Sequence, residues 1–103
     1  MQNTVCELEI EIKNADGLHM RPAMQFVDTA SKFQASIIVS RGDTNVDGKS
    51  IMQMSMLAAT YGTRLKIKAD GPDAPEAVEA LRELVEVKKF GEPTPEEKSR
   101  QAY

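Results

Sequence analysis

The 103-residue chain has no tryptophan, one cysteine, one histidine, two tyrosines and three phenylalanines. Each shortage excludes something. Cys6 has no second cysteine to pair with, and one histidine beside one cysteine cannot make up a Cys/His metal set, so neither an internal disulfide nor a resident metal is expected. The longest unbroken apolar run is Met56-Leu57-Ala58-Ala59, against the roughly 20 residues that a membrane-spanning helix needs. The stretch Met1 to Lys13 has no basic flank followed by an apolar core, so it does not read as a secretory signal and a cytoplasmic protein is expected. Positive charge is also short. Thirteen Lys and Arg against 16 Asp and Glu leave a formal charge of −3, whereas a nucleic-acid binder shows a basic face.

What is present suffices for one folded domain, with 41% hydrophobic and 28% charged residues. From Val5 to Lys13, Cys6, Leu8, Ile10 and Ile12 alternate with Glu7, Glu9, Glu11 and Lys13, the mark of a strand with one wet face. Asn14-Ala15-Asp16-Gly17 signals a turn, after which Ala23, Phe26, Val27, Ala30 and Phe33 follow helical spacing. That helix is expected to start near His19, with Pro22 in its first turn, where a missing N–H has no intrahelical partner anyway. Ala35–Arg41 and Thr44–Val46 read as a hairpin about Gly42-Asp43, and Ile51–Ala59 as a short helix opened by Ser50 and closed by Tyr61-Gly62. Thr63–Ala69 alternates again. Asp73-Ala74-Pro75-Glu76 resembles a capping box ahead of a helix running to about Phe90 and ended by Gly91. Residues 92–103, polar and with two prolines, are expected to trail as a disordered tail behind a domain spanning residues 1–91. The order β-α-β-β-α-β-α, with one apolar face on each strand, predicts an α+β fold: a four-stranded antiparallel sheet with three helices on one face.

Two segments carry candidate chemistry. In Gly17-Leu18-His19-Met20-Arg21-Pro22-Ala23 a histidine stands at a helix start, where free amides and the helix dipole favour an anion such as phosphate. A neutral imidazole there is a nitrogen nucleophile able to accept a phosphoryl group, and Arg21 would balance its oxygens. The plain alternative is a solvent-exposed capping histidine. Ser50 has two readings as well, an N-cap for the helix it opens or a regulatory phosphorylation site. Among Met20, Met52, Met54 and Met56 some would fill the core, whereas Ile51 and Met52 precede the apolar stripe and could form a docking patch. Gly42 to Ser50 mimics a Walker A loop, but five residues separate its glycines where four are required, and nucleotide hydrolysis is excluded.

Gly17-Leu18-His19-Met20-Arg21-Pro22-Ala23 resembles the active-site motif of the HPr family, the histidine-containing phosphocarriers of the phosphoenolpyruvate:sugar phosphotransferase system, and Gly48-Lys49-Ser50-Ile51-Met52 resembles that family's regulatory serine segment. The resemblance covers residues 4 to 91 and implies an open-faced β-sandwich. It further implies that His19 takes phosphate on Nδ1 from phosphorylated Enzyme I and passes it to the IIA domain of a sugar permease. Arg21 and the helix-start amides at Met20 and Arg21 would hold the phosphate, and Met20, Ile51 and Met52 would meet the partners. It identifies Ser50 with the serine modified by HPr kinase/phosphorylase, and it implies a monomeric carrier without cofactor, metal, nucleic acid or membrane. Met20 departs from the family's usual alanine, Gln53 from a small or basic residue, and the chain from Glu92 onward from the usual ending. The rival expectations are an HPr-like regulatory module signalling carbon or nitrogen status by protein binding, and a ferredoxin-like β-α-β-β-α-β domain that binds RNA or a small effector. An RNA-binding sheet would need stacking aromatics on its strands, which carry none.

Overall fold

The computed structural model describes residues 4–101. The chain runs through β1 (Thr4–Glu11), α1 (Met20–Ala30), β2 (Ser36–Arg41), β3 (Thr44–Asp47), α2 (Ile51–Ser55), β4 (Arg64–Gly71), α3 (Ala74–Arg82) and α4 (Pro95–Gln101). All strands pair antiparallel in the order β1-β4-β2-β3. The alternation seen in the sequence sets the register. Leu8 lies opposite Ile67 and Ile10 opposite Leu65, while Val39 faces Ile67 from the other side. On the open face Glu7, Glu9 and Glu11 stand opposite Lys68, Lys66 and Arg64, pairs of opposite sign worth about 0.2–1 kcal/mol each. The other face is covered by α1 through Ala23, Phe26 and Ala30, by α2 through Met54, and by α3 through Ala77 and Leu81, all buried. The expected fold class, three helices on one face of an open antiparallel sheet, is the observed one. Among the described residues no helix is long and apolar enough to cross a membrane.

Several local expectations are corrected. α1 ends at Ala30 rather than Phe33, its last turn tightening through Phe33 N–H donating to Ala30 O at 3.2 Å. α2 stops at Ser55, four residues short of the expected Ala59, and Ala58 then takes a left-handed φ of +49° that turns the chain away from helical geometry. The Asp73 carboxylate does not cap α3: it accepts from the N–H groups of Gln34 and Ala35, each at 2.8 Å, and so ties α3 to the start of β2. These two backbone bonds hold its carboxyl below the usual carboxylate range. α3 itself ends at Arg82, widens into a π-type turn over Glu83–Val87 and finishes in a tight turn at Lys89–Gly91.

The chain beyond Gly91 does not trail away. It returns to the loop between β1 and α1, where Pro93 O accepts from Ala15 N–H at 2.9 Å, and then forms α4. The capping box expected at Asp73 is found here. Glu97 N–H donates to Thr94 Oγ1 at 3.3 Å and Thr94 N–H to Glu97 Oε1 at 3.0 Å, with Pro95 in the first turn. Ala102 and Tyr103 lie outside the described residues.

Candidate functional site at the start of helix α1

The loop joining β1 to α1 is anchored before it reaches the helix. Leu18 N–H donates to Ala59 O at 2.8 Å, and Gly17 adopts a φ of +71°. A Cβ at Gly17 would stand 2.6 Å from Ala59 O and 2.9 Å from Thr60 Cα, so the close approach of the two loops requires glycine there. The loop delivers His19 to the N-cap of α1 in an extended conformation, φ −79° and ψ −172°, with no side-chain bond to the helix. Ala23 N–H makes the first helical bond, to His19 O at 3.0 Å, and Pro22 has no N–H. The amides of Met20 and Arg21 are thus the first-turn donors without a helical acceptor. No acidic residue lies in that turn to offset the positive end of the helix.

The neutralising charge comes from a distant part of the chain. The Glu92 carboxylate, 8% exposed, lies 3.0 and 3.1 Å from His19 Nε2 and 3.5 Å from Arg21 Nη2, and it accepts from Asn14 Nδ2 at 2.9 Å. Asn14 is fully buried and its amide also donates to Gly17 O at 2.8 Å, leaving Oδ1 without a partner. Turning the amide over would set Oδ1 against a carbonyl and a carboxylate, so the unpaired oxygen is the smaller cost. An ionised carboxylate can only accept. Nε2 therefore carries the proton toward Glu92, and in a neutral ring Nδ1 keeps the lone pair. His19 is 40% exposed and Arg21 74%, so both remain open to a partner.

Asp16, in the same loop, pairs with Lys98 of α4. Its carboxyl is held below the usual range chiefly by the hydrogen bond from Lys98, with the positive charge of Lys98 adding to this. Donor atoms of Asp16, His19 and Glu92 lie within 4.8 Å of one another, a mixed carboxylate and imidazole set that a count of Cys and His does not find. Lys98, Arg21 and the Nε2 proton already face these carboxylates.

The second segment meets the first along one groove. Met20, Met24, Val27 and Asp28 of α1 line it together with Ile51 of α2. Met52 is 79% exposed beside it, and Met56 is exposed too, while Met54 is the methionine of α2 that fills the core. Ser50 is the N-cap of α2, its Oγ accepting from Gln53 N–H at 3.2 Å. Glu92 and Asn14 were not singled out from the sequence. Nothing near Glu92 marks it, since its partner His19 is 73 residues away. Met24 does carry a signal, one helical turn from Met20 on the same face.

The sequence profile of the PTS-HPr family, described as the PTS HPr component phosphorylation site, matches residues 6–87. Phosphocarrier protein HPr of Neisseria meningitidis serogroup A is 46% identical over 76 residues, which are 74% of this chain and 85% of that protein. The phosphoryl donor subunit DhaM of the PEP-dependent dihydroxyacetone kinase of Escherichia coli is 41% identical over 82% of this chain, which corresponds to 18% of the larger protein. Among solved structures, HPr-C-His from Thermoanaerobacter tengcongensis superposes with a TM-score of 0.81 at 48% identity, covering 84% of this chain and 97% of that one. The helix-start histidine lies inside the matched span and Glu92 outside it; by profile, relatives and fold alike, the chain belongs to the HPr phosphocarrier family.

Proposed function

We propose that the chain is a phosphoryl carrier of the phosphotransferase system, in which His19 accepts phosphate from phospho-Enzyme I on Nδ1 and yields it to the IIA domain of a sugar permease. The observation that carries this reading is the state of the α1 start. A partly exposed imidazole with a free Nδ1 stands beside the Arg21 guanidinium and unengaged first-turn amides, with no acid in that turn. Such donors, fixed before the reaction, compensate the charge on a transferring phosphoryl group, and positioning with charge compensation supplies most of the catalysis of phosphoryl transfer. Met20, Ile51 and Met52 would give the partner an apolar surface around the charged centre, with flexible thioethers able to fit more than one IIA domain. A carrier of this kind works in the cytoplasm as a monomer meeting its partners in turn.

The decisive experiment is incubation with phosphoenolpyruvate and Enzyme I. An acid-labile, base-stable phosphate is expected on the wild type and none on His19→Ala; a label that persists in the variant refutes the reading. A second reading, regulation through Ser50, is favoured by that residue's place between the buried face of α2 and exposed Met52. Phosphate there would add nearly two negative charges beside the docking patch. With ATP and an HPr kinase/phosphorylase an acid-stable phosphate is expected on Ser50, and Ser50→Asp should accept phosphate on His19 more slowly than wild type. Equal rates would remove the regulatory role.

A further inference from the structure

The segment after Gly91 enters the site through an unusual bend. Lys89, Phe90 and Gly91 have φ values of +52°, +56° and +73° in succession. The left-handed region disfavours the first two because their Cβ atoms crowd the backbone. Burial of Phe90 in the core holds the bend, and its carbonyl accepts from Gln25 Nε2 at 3.2 Å. Glu92 follows at once in extended conformation and meets His19. Beyond it the strap is tied twice more to the loop ahead of α1, by Ala15 N–H on Pro93 O and by Lys98 on Asp16. A strained turn pinned by buried Phe90 on one side and two fastenings on the other leave the Glu92 carboxylate little freedom to leave Nε2.

We propose that Glu92 is a positioning residue for phosphoryl acceptance, held by this strap so that its carboxylate orients the His19 ring and offsets the charge the ring acquires. The inference rests on the reading of His19 as the acceptor. In the step, the Nδ1 lone pair forms the N–P bond while the bond that holds phosphorus to the donor protein breaks, its electron pair leaving with the donor. The Nε2 proton stays in place. The ring thereby takes a formal positive charge, and the carboxylate 3.0 Å from Nε2 faces that charge. The same contact fixes which nitrogen is free, as the partners of metal-bound histidines do.

The test uses the full chain with phosphoenolpyruvate and Enzyme I, together with ¹⁵N-resolved imidazole NMR. In the wild type the Nε2-bound proton should be visible and slow to exchange. Glu92→Gln, whose amide oxygen still accepts, should keep that signal while acceptance slows about threefold to tenfold; Glu92→Ala should lose the signal and slow about tenfold or more. Lys98→Ala, which loosens the strap and leaves Glu92 intact, should slow acceptance about twofold, and with Glu92→Gln it decides the matter if Glu92→Ala fails to fold. Wild-type rates in all variants overturn the proposal. So does faster acceptance by Glu92→Ala, which would make the carboxylate a barrier, or an Nε2 signal that survives in it. If the label instead persists in His19→Ala, the carrier reading has failed and the positioning role falls with it, whereas the NMR signal still reports the contact.

Discussion

Two helices of this fold begin on a residue that the sequence marks for chemistry, and they treat it in opposite ways. At α2 the capping side chain is turned inward on its own helix: Ser50 Oγ takes Gln53 N–H, and Gln53 Oε1 in turn takes Asp47 N–H at 2.8 Å. At α1 the capping side chain makes no bond to its helix. His19 leaves the first amides open, and the balancing carboxylate arrives from Glu92. The same position therefore closes the helix start where the residue engages it, and leaves the first amides open, as our proposed phosphate site requires, where it does not.

The largest expected effect breaks this contrast outright. His19→Ser gives α1 the kind of cap that α2 has, and phosphoenolpyruvate with Enzyme I should then leave no acid-labile label, read by radiolabelled phosphate. Next comes Gly17→Ala, which drives a Cβ into Ala59 O at a left-handed φ and should cost about 2–3 kcal/mol in urea unfolding while displacing His19. Ser50→Ala is smaller. It should lower stability by about 1 kcal/mol through loss of the cap and leave the rate of His19 labelling unchanged.

The smallest effect lies away from both caps and is read by pH. The folded Asp73 carboxyl titrates below its ordinary value, first because of the bond from Gln34 N–H. Its contribution is therefore fully present above about pH 4 and fades as pH falls through the folded value. Chemical unfolding across the acid range should show Asp73→Asn less stable than wild type at neutral pH, the two curves converging in acid.

Legibility in the sequence followed distance along the chain. Alternation at Cys6–Ile12 and Leu65–Ala69, helical spacing at Ala23–Ala30 and the position of His19 all rest on neighbours within a turn or two, and each is where the pattern put it. Asp73 misled for the opposite reason. Locally it resembles a cap, but its carboxylate serves Gln34, 39 residues away. The motif Thr94-Pro95-Glu96-Glu97 was readable as a capping box, yet its polar surroundings and its prolines outweighed it, and the helix there was missed. Glu92 had no local signature at all. Its role in the site comes from burial against Asn14 and His19, which only the folded chain creates.

The register of β1 also sets an order of events during synthesis. Thr4 to Glu11 pair only with Gly71 to Arg64, so the first strand has no partner in the sheet until β4 has been made. When a nascent chain has reached Gly62, His19 is already in existence, but the strand that pairs with β1 ahead of its loop, and Glu92 against its ring, are not. Pairings this remote in sequence form late in folding. His19 is therefore translated well before β4 and Glu92, and a chain interrupted between them exposes a histidine without the setting in which we propose that it accepts phosphate.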